Sequence, residues 1–312
     1  MRTLSGEQSV TEATYEVTWA SIVEKVQRST LFLTLLSLAL LLVGCGIPGA
    51  GAGSNGDLSG HVHIVGSTAL LPLVMKAAAL FRQHHPGVQM DIEGGGSITG
   101  LKEVTTHQVD IGDSDIYADP ALYPDPNLTD HIVCVNTFTL IVDPHITLSS
   151  LTTQQIIAIF TGKGTNWKAF GGPDLPIAPI IRPATSGTRA LFRKYVLGGA
   201  EESGHPLTTD SSTSVINTVA HTPGAIGYVT TVLVNHTVHM IGIDGVTPTV
   251  QHIKAGRYKF WGYEHMYTLE NGSNATTTFL DFMLSAEAQQ LAQKLGYLPV
   301  SALAGEATQA GA

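Results

Sequence analysis

The sequence of 312 residues predicts an α/β protein with two lobes, each built on a mostly parallel, doubly wound sheet. Short strands, glycine-rich turns and amphipathic helices alternate along the chain. The apolar run over residues 131–144 ("HIVCVNTFTLIVDP") suits a strand that crosses from one lobe to the other. Hydrophobic residues make up 43% of the chain and charged residues only 13%, which indicates a sizeable buried core. We expect a ligand cleft between the lobes.

The first folded segment has the order strand, glycine turn, helix, strand. Alternating residues predict a strand over 61–65, helical spacing predicts a helix over 70–81, and a second strand follows over 88–92. The next segment repeats this order. Glycines at 94–96 are followed by a helix from about residue 99 to 106 and by a short strand over 109–112. Strand and helix alternation with such short turns predicts parallel strands.

The later segments continue the alternation and then return to the first lobe. Residues 150–172 form a capped helix and a loop, 175–197 a strand, loop and helix, and 218–234 a helix end, turn and strand. Residues 259–269 are predicted to form a return strand, and residues 276–296 a final amphipathic helix. Two crossings divide the chain into a first lobe (60–137 and 259–302) and an inserted second lobe (138–258).

The N-terminal segment predicts export. Lys25 and Arg28 precede an apolar run over 31–43, which is shorter than the roughly 20 residues that span a bilayer and suits a signal peptide. The following "LVGC" resembles the lipobox of bacterial lipoproteins. We therefore predict a lipoprotein signal peptide over 1–44, lipidation of Cys45, a Gly/Ser-rich tether over 45–59 and a flexible tail over 303–312. An uncleaved N-terminal anchor stays open as an alternative, and in either case the body lies at the outer face of the cell membrane.

Composition argues against several other classes of protein. A net charge of −9 with only 16 Lys and Arg leaves no basic stripe for a nucleic acid. The two cysteines, Cys45 and Cys134, form no disulfide framework. The 13 histidines include the pairs His61-x-His63 and His84-His85, but neither pair has a third ligand at recognisable spacing. We predict no metal site, no cofactor and no nucleic-acid partner.

Three turns share one design, in which a strand ends, a glycine follows and Ser or Thr stands where a helix begins. They are Gly66-Ser67-Thr68, Gly96-Ser97 and Thr185-Ser186-Gly187-Thr188. In an open α/β sheet the carboxyl ends of the strands line one crevice. Each helix start offers free N–H groups and a partial positive charge. We therefore expect the turns to bind an oxyanion together, although each turn alone is explained equally well as a helix cap.

Two charged residues narrow the choice of anion. Arg182 follows a predicted strand and can donate a bidentate fork to two oxygens. Asp115 can accept a hydrogen bond from a protonated anion such as hydrogen phosphate, whereas fully ionised sulfate would face it as a second acceptor. The spacing Asp113-x-Asp115 also allows a cation site, but no further acid follows at calcium-loop positions.

Five segments resemble the substrate-binding protein of the bacterial phosphate ABC transporter, the PstS family. They are "GSTALLPL", "GGGSITGLKEVTTHQVDIGDSDI", "LTTQQIIAIFTGKGTNW", "RPATSGTRALF" and "TPGAIGYV", in the family's order over residues 60–302. The resemblance implies a type II periplasmic-binding-protein-like fold and a monomeric phosphate receptor that serves ABC permease subunits and is not an enzyme. It also implies a set of phosphate-binding residues, namely Thr68, Ala69, Ser97, Asp115, Arg182, Ser186, Gly187 and Thr188.

The sequence departs from the family at two of these places. Ala69 stands where some members have a large aromatic residue, and only its backbone is needed. Ala184 stands where some members have an acid that braces the arginine, so Arg182 is expected to be either less rigidly held or braced by another carboxylate. Arg189 is interpreted as a helix-face residue. A receptor for molybdate or sulfate, an exported phosphate-ester hydrolase and a phosphate sensor without a permease stay open as alternatives, although no G-x-S-x-G elbow surrounds Ser186.

Overall fold

The computed structural model describes residues 58–270 and 272–303. The predicted signal peptide, Cys45, the tether up to residue 57 and the tail beyond residue 303 lie outside the described residues. No helix in the described part is long and apolar enough to cross a bilayer.

The described residues form ten strands in one mixed sheet, together with eight α-helices and three short 3-10 segments. The strands are β1 Ser59–Gly66, β2 Gly87–Gly94, β3 Ile111–Ser114, β4 Leu128–Val142, β5 Ser150–Leu151, β6 Ala178–Ile181, β7 Leu207–Thr208, β8 Ala225–Thr230, β9 His239–Ile243 and β10 Trp261–Leu269. The helices are α1 Leu71–His84, α2 Ser97–Thr105, α3 Thr153–Phe160, α4 Gly187–Tyr195, α5 Ser212–His221, α6 Val250–Lys254, α7 Asn274–Leu284 and α8 Ala286–Leu295.

The order of the strands is β2-β1-β3-β10-β4-β8-β6-β7, and β9 joins β4 to β5. Strand β1 is parallel to β2 and β3, and β6 is parallel to β7 and β8. The pairs that involve β4 or β10 are antiparallel. The two outer parts of the sheet thus have the predicted parallel character, and the antiparallel strands lie in the middle, where the chain passes between the lobes.

Strand β4 is shared by both lobes, as the long apolar run predicts. Its first part, up to Thr137, pairs with β10, and its last part, from Phe138, pairs with β8 and β9. The chain returns beside the same point, because the Phe138 N–H donates to the Phe260 carbonyl at 3.1 Å. The two crossings therefore lie next to each other.

Helical periodicity explains how the first lobe packs. Helix α1 buries Leu73, Ala77 and Phe81, which recur every four residues on one face. They belong to one core cluster with Ile64 of β1 and Phe279 of α7. The ring centroids of Phe81 and Phe279 lie 5.3 Å apart in an edge-to-face arrangement.

The core of the second lobe is aromatic. Phe192 of α4 stacks on Tyr228 of β8, with ring centroids 4.0 Å apart. Phe160 of α3 meets the Phe192 ring edge-on at 4.8 Å. All three side chains are fully buried, so this cluster fixes α4, and with it the third turn, against the sheet.

Several element boundaries differ from the prediction by a few residues, such as β3, which spans Ile111–Ser114 instead of 109–112. The predicted final helix is two helices, α7 and α8, because Ser285 leaves helical geometry at φ −67° and ψ 158° and its side chain accepts from the Ala288 N–H. A serine inside an apolar period is compatible with a continuous helix or with a new cap, and here the cap prevails. Helix α2 begins at Ser97, two residues before the prediction.

Candidate functional site

The three glycine turns meet at one place where the first and second lobes touch. The Arg182 Nη2 atom of the second lobe donates to Thr68 Oγ1 of the first lobe at 3.0 Å. The Ile98 N–H, in the second turn, donates to the Thr185 carbonyl at 3.0 Å. The side chains predicted to bind the anion are all at least nine-tenths buried, namely those of Thr68, Ala69, Ser97, Asp115, Arg182, Ser186 and Thr188.

The first turn is organised by Ser67, which sequence reasoning did not select. Its Oγ accepts from the N–H groups of Ala69 and Leu70 at 3.0 and 3.1 Å, and it donates to a carboxyl oxygen of Asp115. The Ala69 N–H, which the sequence predicts to face the anion, thus donates to Ser67 in this structure. Thr68 Oγ1 lies beside it and accepts from Arg182 and from the Ser212 N–H, the latter at 3.2 Å.

Glycine allows the second and third turns to approach each other. Gly96 has φ +90°, and a Cβ there would lie 2.5 Å from the Thr185 carbonyl oxygen. A Cβ at Gly187 would overlap Ser97 Oγ and would lie 2.9 Å from the Asp115 Cβ. No side chain fits at either position, so the second and third turns pack directly against each other.

Helix α4 begins at this point. Ser186 is its N-cap, and its Oγ accepts from the Arg189 N–H at 3.2 Å. Thr188, at the second position of α4, donates through Oγ1 to the Asp115 carboxylate at 2.6 Å. The Arg189 side chain points away and forms a bidentate pair with Glu202, with both distances 3.0 Å. Arg189 is therefore a helix-face residue, as interpreted from the sequence.

Asp115 follows β3 and lies at the centre of the contacts between the turns. Its Oδ1 accepts from Ser67 and its Oδ2 from Thr188, while its backbone N–H donates to Ser97 Oγ at 2.9 Å. Only 3% of the residue is exposed. Burial, reinforced by the charge of Asp115, raises the pKa of the neighbouring Asp113. Asp115 is thus a hydrogen-bond acceptor placed among donors.

Arg182 supplies the cation, directly after β6. Its guanidinium donates to Thr68 Oγ1 at 3.0 Å, to Ser212 Oγ at 3.3 Å and to the Asp210 carbonyl at 3.1 Å. No carboxylate of the described residues forms an ion pair with it, and its Nε–H has no partner there. Burial lowers the pKa of Arg182, which is held charged by the nearby Asp115. Hydroxyls and a carbonyl thus brace the arginine in place of the acid absent at Ala184.

Ser212 and Asp210 were also missed in the sequence. Ser212 is fully buried at the first position of α5 and contacts both Thr68 and Arg182. The signal was present as a fourth hydroxyl-rich helix start, "TTDSSTS", after the short strand β7. It lacks the glycine that marked the other three turns, and its contact with Thr68 spans 144 positions in the chain.

The alternative sites receive no support from the geometry. His61 pairs with Asp91 at 2.8 Å, and His84 lies 3.6 Å from Glu287, in exposed positions. No group of three or more metal-ligating side chains occurs among the described residues. No histidine in the described ranges hydrogen-bonds to Ser186, whose hydroxyl serves as the helix cap.

The fold is that of a two-lobed binding protein, and the candidate site lies where the lobes meet. The sequence matches the PBP superfamily domain over residues 51–287. It is 37% identical to phosphate-binding protein PstS of Bacillus subtilis (strain 168) over 288 residues, which cover 88% of this chain and 96% of that protein. The chain belongs to the PBP superfamily and, within it, to the PstS family.

Known structures agree with this assignment. A Clostridium perfringens protein with bound phosphate, described as a phosphate ABC transporter substrate-binding protein, superposes with a TM-score of 0.73 at 28% identity, covering 77% of this chain and all (100%) of that one. An ABC-type phosphate transport receptor from Vibrio cholerae superposes with a TM-score of 0.63 at 25% identity, covering 76% and 99%. The predicted two-lobe fold and the predicted family are confirmed.

Proposed function

We propose that the protein is an extracytoplasmic receptor that binds inorganic phosphate and delivers it to the permease subunits of an ABC transporter. The observation that carries this proposal is the position of Asp115, a buried acceptor that lies between the hydroxyl donors of two lobes and close to Arg182. The relatives named above are phosphate-binding transport proteins, which supports the same conclusion. Binding involves no bond cleavage.

The predicted residues would each bind a different part of the anion. Arg182 and the N-terminus of α4 would neutralise the negative charge, because a guanidinium and unpaired helix N–H groups both favour anions. Hydroxyl and backbone donors would bind the remaining oxygens. The full proposed set is Thr68, Ala69, Ser97, Asp115, Arg182, Ser186, Gly187 and Thr188. We also propose Ser67 and Ser212 as supporting residues, because they bond to Ala69 and Arg182.

Asp115 would select phosphate. Hydrogen phosphate retains a P–OH at neutral pH, which can donate to the carboxylate. Sulfate has no proton at that pH, so it would place an oxygen lone pair against a buried carboxylate, and this contact is strongly unfavourable. The same argument disfavours molybdate as the ligand.

Closure of the lobes would bury the ion. We assign residues 60–137 and 259–302 to the first lobe and residues 138–258 to the second. The described contacts between the turns, such as Ile98 with Thr185, then belong to the closed arrangement. Opening would separate Thr68 and Asp115 from Arg182 and Thr188 and expose the site.

Lipid modification of Cys45 would hold the receptor at the outer face of the cell membrane, with residues 45–59 as its tether. Mass spectrometry of the protein from the producing cell tests this anchor, and we expect a chain that begins at a lipidated Cys45. A chain that retains residues 1–44 and an unmodified Cys45 would instead support an uncleaved N-terminal anchor. We expect the receptor to be a monomer.

Isothermal titration with phosphate, with sulfate as competitor, tests the proposed function. We expect tight binding of phosphate and no measurable competition by sulfate. Asp115→Asn removes a charge-assisted hydrogen bond, so phosphate should bind about 10- to 100-fold more weakly, while sulfate should gain affinity. Asp91→Asn, at a side chain that is 67% exposed, is the matched control. Equal affinity of the wild type for both anions would refute the selective role of Asp115.

A further inference from the structure

A second buried acid, Glu264, lies beside the candidate site. It is on β10, which passes close to residue 115, because a Cβ at Gly262 would lie 3.2 Å from the Asp115 carbonyl oxygen. Alternate residues of a strand share one face, so Glu264 lies on the same face as Gly262. None of its surface is exposed to solvent.

One carboxyl oxygen of Glu264 is held by a defined chain of hydrogen bonds. Asn136 Nδ2 donates to Glu264 Oε1 at 2.6 Å, and Thr230 Oγ1 donates to Asn136 Oδ1 at 2.7 Å. The Thr230 bond fixes the orientation of the amide, so Asn136 has to present its NH₂ group to the acid. Glu264 Oε2 has no N–H or O–H donor among the described residues.

The antiparallel register of β3 and β10 pairs Ser114 with His265, so the adjacent residues Asp115 and Glu264 lie opposite each other with their side chains on one face. Both residues are buried, so their carboxyl groups are neighbours in the interior. Ionised carboxylates only accept hydrogen bonds, so two carboxyl groups can bond to each other only when one of them carries a proton. Both oxygens of Asp115 already accept hydrogen bonds, one from Ser67 and one from Thr188, so Asp115 is the acceptor of this pair. The proton therefore belongs on Glu264, whose Oε2 has no donor in the part of the chain that the structure describes.

We propose that Glu264 is a specificity-determining positioning residue, a neutral carboxylic acid that donates its proton to Asp115 and so limits the site to one acceptor charge. This inference rests on the proposed function. A carboxylate offers about four lone-pair sites. Ser67, Thr188 and Glu264 would occupy three of them, which leaves one for the P–OH of the ligand.

The groups that face Glu264 favour the protonated form. Asp115 and Asp113 approach it from the end of β3, Cys134 is its partner on β4, and Tyr297 lies beyond α8. Burial, and then the charge of Asp115, raises the pKa of Glu264 well above its ordinary value. Burial raises the pKa of Cys134 as well, so the thiol brings no compensating charge.

A protonated Glu264 would have two consequences for binding. It keeps a second negative charge away from an anion site, and it directs the free lone pair of Asp115 toward the ligand. Phosphate affinity should therefore fall as the pH rises through the raised pKa of Glu264, because the acid then loses its proton and the site gains a charge.

Infrared spectroscopy of the ligand-free protein tests the protonation state directly. We expect a carboxylic-acid C=O band at neutral pH that shifts when glutamate is isotopically labelled and disappears in Glu264→Gln. Because the labelled wild type is read without any substitution, the test does not depend on the variant folding. Absence of a glutamate-derived acid band would overturn the proposal, whether or not the protein binds phosphate.

Phosphate titration of two variants tests the role in binding. Glu264→Leu removes the donor and should weaken phosphate binding at least about tenfold, as expected for a lost hydrogen bond to a charged group. Glu264→Gln keeps an N–H donor, so it should restore most of that loss and abolish the alkaline decline. Glu93→Gln, at an exposed acid of β2, is the control.

Two results would contradict the proposal. If Glu264→Gln bound phosphate and sulfate at least about tenfold more tightly than the wild type, Glu264 would be an ionised residue whose removal relieves repulsion. If Glu264→Leu bound phosphate like the wild type, the acid would have no role in positioning Asp115. Failure of the wild type to bind phosphate would refute the proposed function alone, since the infrared result still decides the proton on Glu264.

Discussion

The contact between the lobes at Gly187 leads to our most specific prediction. In Gly187→Ala the new methyl group would overlap Ser97 Oγ and lie 2.9 Å from the Asp115 Cβ, across the boundary between the lobes. Neither neighbour can move freely, since Ser97 Oγ accepts from the Asp115 N–H. Overpacking of this kind costs about 1–3 kcal/mol. Because the clash exists only when the lobes touch, the cost falls on the closed, phosphate-bound state.

The expected result of Gly187→Ala is a 5- to 150-fold increase in the Kd for phosphate, since about 1–3 kcal/mol corresponds to that range. The melting temperature without phosphate should not fall, because alanine favours a helix more than glycine does at this first position of α4. Isothermal titration and thermal unfolding measure the two effects separately. Gly272→Ala is the control, because a Cβ there makes only ordinary contacts of 3.5 Å. Wild-type affinity in Gly187→Ala would refute the proposed closure at this turn.

Three other substitutions probe different parts of the protein. Arg182→Lys replaces a planar guanidinium group, which makes three contacts, by an ammonium group that acts as a point charge. Titration should show roughly 10- to 100-fold weaker phosphate binding, and unchanged affinity would contradict this expectation. Phe192→Ala removes a ring stacked 4.0 Å from Tyr228, and denaturant unfolding should show a loss of about 3–5 kcal/mol; a loss below about 1 kcal/mol would contradict that packing. Burial raises the pKa of Asp143, but backbone N–H donors, including that of Gly224 at 2.8 Å, outweigh burial and lower this pKa. The contribution of Asp143 to stability is therefore present above about pH 4, and it decreases as the pH falls through the lower folded-state pKa. Asp143→Asn should therefore flatten the acid side of a melting-temperature profile, and an unaltered profile would count against this role.

Local patterns in the sequence explain why most elements and three turns were predictable. A glycine next to hydroxyl residues before an amphipathic run is a local signal, and it marked Thr68, Ser97 and Ser186 before any contact was known. Parallel strand order then required their turns to lie at one edge of the sheet. The contact between Ile98 and Thr185 agrees with that expectation.

The residues that escaped prediction depend on contacts between distant parts of the chain. Ser212 acts on Thr68 across 144 positions, and Asn136 meets Glu264 across 128. Glu264 stands in an alternating strand pattern in which a polar residue normally faces solvent. Its burial follows from the neighbouring strands β3 and β4, which the residues around it do not reveal.

The shared strand β4 also restricts how the molecule can move. Its partners change between Thr137 and Phe138, and the return connection is bonded to Phe138 through Phe260. Two adjacent backbone links of this kind permit a swing about one axis but resist sliding and wide separation. The distance between two spectroscopic labels, one in each lobe, should therefore vary with a single opening angle. Phosphate should narrow the distribution of this distance, whereas distances beside the pivot at Phe138 should not change.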